Sequence, residues 1–163
     1  MRIRWSVLVA PVLLAGCASV GYYNQAAQGH LALMASARPI EDWVADPATP
    51  QALRERLLRA QEIRRFAAES LGLPDNGSYT SYADLQRPAA VWNVFATPEL
   101  SLQLKTWCYP VLGCASYRGY FDRADAEKMA ADLQAAGYDV NVGGVPAYST
   151  LGWFDDPLLN TFI

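Results

Sequence analysis

Between residues 51 and 71 apolar side chains recur at steps of three and four: Leu53, Leu57, Ala60, Ile63, Phe66, Ala67 and Leu71. Arg54, Glu55, Arg56, Arg59, Glu62, Arg64 and Arg65 fill the opposite side, so the period predicts an amphipathic helix over Gln51–Leu71. Thr49 is placed to cap it, Pro50 suits the first helical position, and Gly72 followed by Leu73 and Pro74 supplies the stop. The arginines form either a binding patch or a solvated face threaded by ion pairs, and the acids between them favour the second. Upstream, Tyr22–Ala37 is rich in Ala, Gln and Leu, sets Tyr22, Ala26, Gly29 and Leu33 on one face, and predicts a second helix that ends before Pro39. Ile40–Val44 makes one more short turn before the boundary Asp46-Pro47-Ala48-Thr49-Pro50.

The pattern changes after the turn Asp75-Asn76-Gly77-Ser78 and a polar, tyrosine-rich stretch to Arg87. Val91–Ala96, Leu102–Val111 and Tyr138–Val145 are rich in β-branched and aromatic residues and bounded by Pro or Gly, which predicts strands. A helix lies between the last two, with Asp122 as its cap, Met129, Leu133 and Ala136 at helical spacing and Gly137 at its close. Helices first, then a small mixed or antiparallel sheet with one crossing helix, is an α+β arrangement.

Composition narrows the chemistry. With 163 residues, 52% hydrophobic and 18% charged, the chain has the length of one domain and the means to bury a core. Thirteen basic against 16 acidic side chains give a net charge of -3, and no basic excess marks a nucleic-acid partner. There is 1 histidine, His30, so the two imidazoles of a His-Glu-x-x-His zinc motif are not both here. No Cys, His or carboxylate stands three or four residues from His30, which reads as a packed or surface histidine, and Ser149 has no base beside it to make it a nucleophile.

Arg2 and Arg4 precede the apolar stretch Trp5–Ala15, which has signal-peptide length and falls short of the roughly 20 residues that span a bilayer. Leu14-Ala15-Gly16-Cys17 resembles the lipobox of bacterial lipoproteins, so residues 1–16 are expected to be removed and Cys17 to carry the lipid that anchors residues 17–163. Ala18 and Ser19, neither acidic, direct the expectation to the periplasmic side of the cell envelope and the outer membrane. The other reading is a plain secretory signal with a coincidental cysteine. In an exported chain Cys108 and Cys114 are expected to pair around the short loop holding Pro110 and Gly113, against the rival readings of a metal pair or a thiol nucleophile.

The closing run Leu158-Leu159-Asn160-Thr161-Phe162-Ile163 is largely apolar, and two readings stand: the approach to a buried helix that the chain does not include, or a strand or turn docked on the core.

Gly21-Tyr22-Tyr23, Gln25-Ala26, Gly29-His30-Leu31, Arg38-Pro39-Ile40, Leu71-Gly72-Leu73-Pro74-Asp75-Asn76-Gly77-Ser78-Tyr79, Val91-Trp92-Asn93-Val94-Phe95-Ala96, Trp107-Cys108, Tyr117-Arg118-Gly119-Tyr120-Phe121 and Ala147-Tyr148-Ser149-Thr150-Leu151-Gly152 follow one another in order. Together they resemble an aminopeptidase family of proteobacterial lipoproteins. The resemblance implies a zinc metallopeptidase acting on peptides with a free N-terminus, whose His-Glu-x-x-His helix and acidic ligand lie beyond the equivalent of Ile163. It therefore implies no zinc ligand and no catalytic residue in this sequence, a catalytic helical part that is missing, and no activity of these residues alone. In such enzymes the substrate lies extended against an edge strand; Tyr138–Val145 is the candidate here, with Gly143 and Gly144 either admitting a close backbone or simply ending the strand in a turn. A carboxylate for the substrate's amine is sought in Asp155 or Asp156, although Asp156 before Pro157 is also a turn signature. The alternative function is a non-catalytic outer-membrane lipoprotein that binds a peptide or protein partner along the sheet edge.

Overall fold

A computed structural model describes the backbone of residues 6–109 and 113–163 and, within that range, the side chains from Val20 onward. Among the described residues four helices, α1 (Ser6–Ser36), α2 (Ile40–Ala45), α3 (Gln51–Leu71) and α4 (Arg123–Ala135), are joined by eight short strands in an α+β architecture. β3 (Val91–Pro98) is flanked antiparallel by β6 (Arg118–Tyr120) and β7 (Tyr138–Val145). β1 (Arg38–Pro39), β2 (Ser81–Ala83) and β8 (Leu158–Leu159) form a second, mixed sheet, and β4 (Trp107–Tyr109) and β5 (Gly113–Ala115) a hairpin. The single small sheet expected from sequence is thus three.

The strongest periodicity gives α3 with the expected bounds. Gly72 adopts the left-handed conformation (φ 68°, ψ 22°) that only glycine takes at no steric cost, and Leu73 N–H donates to Ala67 O at 3.0 Å. Its other end differs from expectation. Pro50 is itself the N-cap, with extended backbone (φ -54°, ψ 138°), and the buried Thr49 hydroxyl caps nothing. The residue before a proline is driven out of helical geometry, which takes the Thr49 side chain away from the first turn. Asp46 organises that turn instead, accepting from Ala48 N–H at 2.9 Å, while Arg54 donates to Asp46 O at 2.9 Å. The apolar stripe of α3 is only half used. Leu57 is fully buried with Ile40, Tyr82 and Leu158, whereas Ile63 and Phe66 are 58% and 57% exposed.

α4 is capped as its sequence predicts, Ala124 N–H donating to Asp122 Oδ1 at 2.7 Å. Its Ala126, Ala130 and Leu133 bury Val94 and Ala96 of β3 together with Tyr120. A third cluster joins Leu33 of α1 to Ala83, Ala90 and Leu159. Two further expectations are corrected. Helix α1 runs from Ser6 rather than from Tyr22, its backbone passing through Cys17, whose side chain lies outside the described residues. Of the strand expected over Leu102–Val111, Trp107–Tyr109 is β4, Pro110 and Val111 lie outside the described residues, and Leu102–Thr106 is loop: Lys105 N–H donates to Ala96 O and Thr97 Oγ1 to Ser101 O, both at 2.7 Å, curling it so that Leu102 is wholly exposed. Of the two readings of the closing run, Leu158 and Leu159 take the docked strand: they pair parallel with β2 and are buried. No helix among the described residues is long and apolar enough to cross a membrane.

Candidate functional site

The β6-β3-β7 sheet has two unlike faces. Side chains alternate across a strand, so Val94 and Ala96 point into the α4 core while Val91, Asn93 and Phe95 point the other way. That second face is the floor of a cleft of about 440 Å³. Tyr22 and Tyr23 of α1, Tyr109 of the hairpin, Tyr117 and Tyr148 form its walls, and among the described residues no Asp, Glu, Lys or Arg lines it. The rings support one another: Tyr22 stacks on Tyr109 at 5.7 Å, the Tyr109 hydroxyl donates to that of Tyr22 at 3.3 Å, and the Arg118 guanidinium lies 4.0 Å from the Tyr22 ring centre. Burial, then the neighbouring Tyr22 hydroxyl, holds the Tyr109 phenol well above the usual tyrosine range, and burial raises Tyr148 likewise.

The two edges of this sheet also differ. Beside β6, the Gln25 carboxamide accepts from Phe121 N–H at 3.2 Å and donates to Gly119 O at 3.4 Å, closing that edge with a side chain from α1. Beside β7, no hydrogen bond reaches the outer edge between Asp139 and Gly144 among the described residues. Gly143 and Gly144 lie on this strand opposite Asn93 and Trp92. A Cβ on Gly144 would meet that of Ala89 at 3.1 Å, so this glycine admits the neighbouring segment; one on Gly143 meets nothing closer than 3.8 Å.

Beyond β7 the chain folds into a loop that carries the remaining candidates. Asp156 is buried, and its carboxylate accepts from Ser149 Oγ at 3.0 Å, from Thr150 N–H at 3.0 Å and from Thr150 Oγ1 at 2.7 Å. These are the donors of its own loop, and they leave it facing inward. Asp155 is exposed and crosses over Gly77, where no side chain stands in its way. His30 packs against the same loop, 4.7 Å from the Phe154 ring centre, with the Tyr148 hydroxyl 3.3 Å from its Nδ1. Ser149 therefore faces a carboxylate and no imidazole.

Cys108 and Cys114 are joined, Sγ to Sγ, at 2.03 Å, pinning the β4–β5 hairpin that holds Tyr109. With those thiols paired, Asp156 turned inward and the one histidine against Tyr148, the described residues bring together no three metal-ligating side chains and do not fit a zinc site.

Sequence reasoning located β7 and its glycines but missed the cleft, Asn93 and Gln25. A local signal existed for Asn93: it is the one polar side chain in Val91-Trp92-Asn93-Val94-Phe95-Ala96, and the register sets it between two glycines, Gly119 and Gly143.

No curated protein and no solved structure matches this chain. A family model described as Putative aminopeptidase matches residues 21–163, the span that builds the sheet, the cleft and the Asp156 loop, and the chain belongs to that family.

Proposed function

We propose that these residues form the peptide-binding part of a metallo-aminopeptidase and hold substrate by strand addition to β7. One observation carries the reading: an eight-residue strand whose outer edge is unpaired among the described residues stands beside a cleft that none of their charged side chains lines, while the opposite edge of the same sheet is closed by Gln25. Free N–H and C=O groups in a row pair with any extended backbone, and neighbouring pockets then select among side chains. Family membership supports peptide hydrolysis as the overall activity.

Zinc is the cofactor the earlier resemblance implies. The described residues do not form its site, and on their own they are expected neither to bind zinc tightly nor to cleave aminoacyl substrates. Asp155 is the better placed of the two acids to meet a substrate amine, since Asp156 is turned into its own loop. The same edge serves the rival reading, a lipoprotein that binds a peptide and cleaves nothing. Anchoring through acylated Cys17 at the outer membrane belongs to the proposal in both forms. Palmitate is expected to label the wild-type protein and not Cys17→Ser, and equal labelling removes the anchor.

Strand addition is tested by hydrogen exchange with a neutral extended pentapeptide, Gly-Val-Tyr-Val-Gly. Alternate amides of Tyr138–Val145, those pointing away from β3, should gain protection while amides of α3 do not change. Unaltered exchange along β7 at saturating peptide refutes it.

A further inference from the structure

Among the described residues Leu100 and Leu102 are the two large apolar side chains that stand wholly in solvent, and both belong to the loop between β3 and β4. The loop is not slack. Ser101 N–H donates to Pro98 O and Gln103 N–H to Ser101 Oγ, both at 3.1 Å, while the Thr97 hydroxyl donates to Ser101 O at 2.7 Å. Leu100 holds φ 57°, a left-handed geometry that costs a leucine free energy. A hydrogen-bonded turn that keeps a strained leucine and a second leucine out of the core presents both to an apolar partner.

Its place in the fold identifies that partner. The contacts of α1 run backwards along β3. Leu33 packs with Ala90 just before the strand, Gln25 bonds Gly119, which lies opposite Asn93, and Tyr22 meets Arg118, which lies opposite Val94. The N-terminal side of α1 and the Pro98 end of β3 therefore share one end of the molecule. Helical rise carries Cys17 about 7.5 Å past Tyr22, and strand rise carries Pro98 about 13 Å past Val94. The loop thus reaches at least as far as the residue expected to bear the lipid.

We propose that Leu100 and Leu102 make a second, non-covalent membrane contact, inserting into the headgroup boundary of the bilayer that holds Cys17. The contact rests on the Cys17 anchor proposed above for its setting. Behind the leucines lie Trp107 and Tyr138, with Lys105 Nζ 5.8 Å and 5.1 Å from their ring centres. Leucine at the tip and tryptophan, tyrosine and lysine behind it match the sequence of depths at a membrane interface. Glu99 and Asp139, both exposed at this end, balance Lys105 and Arg118, so apolar insertion rather than attraction to anionic headgroups supplies the affinity. A lipid on Cys17 alone leaves the domain free to swing. The second contact sets β7 with its Tyr138 end toward the membrane, since Tyr138 pairs with Pro98.

A deliberately weak tether makes the contact measurable. Cys17 is the one thiol outside the disulfide, so a single myristoyl chain can be coupled to it, and one such chain gives only marginal, reversible binding. The processed chain, residues 17–163, keeps every contact described for α1 and is used with uncharged phosphatidylcholine vesicles. In vesicle sedimentation Leu100→Ser/Leu102→Ser should partition roughly tenfold or more weakly than wild type, at low and high salt alike. Trp153→Ser is the control. Trp153 is largely exposed, but its loop packs on His30, which helical rise sets about 20 Å from Cys17, and its loss should leave partitioning unchanged. The substituted side chains are all exposed, and an unchanged urea midpoint verifies that each variant folds. Equal partitioning of the leucine variant and wild type overturns the contact, as does an equal loss in Trp153→Ser. Palmitate labelling separates this from the anchor itself. Labelled Cys17 without a leucine effect keeps the anchor and removes the loop contact; a leucine effect without labelling keeps the loop contact and removes the anchor.

Discussion

Replacing Asp156 by alanine should open the loop after β7 while leaving the rest of the fold in place. Asp156 is 5% exposed, and its carboxylate takes hydrogen bonds from Ser149 Oγ, Thr150 N–H and Thr150 Oγ1. Those two hydroxyls in turn accept from Leu151 N–H and Phe154 N–H, both at 3.1 Å, so one side chain organises the whole turn. The turn needs this support, because Leu151 sits at φ 56°, a left-handed geometry that costs a non-glycine residue about 1 kcal/mol or more. Hydrogen bonds to a charged group contribute roughly 1.5–3 kcal/mol each and are not independent here, so a loss of about 3 kcal/mol is expected. That corresponds to roughly a hundredfold faster exchange at the Leu151 and Phe154 amides. Amide exchange followed by NMR reads it directly, with the α4 amides as the unchanged reference. Asp156→Asn should fall between the two, since it keeps one acceptor oxygen for Thr150 and presents an amide donor to Thr150 N–H or Ser149. Wild-type exchange at both amides in Asp156→Ala would refute the assignment of the carboxylate as the loop's organiser.

Three other outcomes are expected. A Cβ at Gly29 would overlap the Phe121 ring, so Gly29→Ala should destabilise by about 2–3 kcal/mol in urea unfolding, whereas Gly77→Ala, which meets only the exposed Asp155 side chain, should cost less than 1 kcal/mol; equal effects contradict the α1 packing described. Tyr109 ionises well above the ordinary value of about 10, so its contribution is complete below that pH; above it the unfolded chain loses its proton first and stability falls. Tyr109→Phe should therefore soften the alkaline loss of stability, with Tyr120, Tyr148 and Tyr82 sustaining the remainder, and an unchanged alkaline profile contradicts its burial. Substituting both Cys108 and Cys114 by serine should lower stability by about 2 kcal/mol, the loop-closure value for so short a ring, and broaden the Tyr109 and Tyr22 ring signals; an unchanged urea midpoint speaks against the bridge.

Local chemistry was legible in the sequence wherever a segment carries its own instructions. The three-and-four spacing of Leu53, Leu57 and Ala60, the left-handed Gly72 and the Asp122 cap are decided within a few residues, and each element stands where its pattern puts it. Thr49 failed because a neighbour, Pro50, overrode its propensity, and Leu102–Thr106 failed because composition does not show the hydrogen bonds of Thr97 and Lys105 that curl this loop. The site was less legible for a physical reason. Gln25 meets Phe121 across 96 positions of chain and the Tyr148 hydroxyl meets His30 across 118, so the cleft and the closed edge exist only once distant segments pack. Asn93 and its flanking glycines are visible as letters, but their common face depends on a strand register that no single segment specifies.

The Gln25 clasp on β6 also bears on self-association. Fibrous growth through sheets requires each molecule to offer two complementary free borders, one to give and one to receive. Here a helix side chain occupies one border of the β6-β3-β7 sheet, so a second copy joining this sheet among the described residues does so at β7. Two copies meeting there around a twofold axis satisfy each other and stop, which makes a self-limiting pair, rather than a filament, the rival that a peptide guest has to displace.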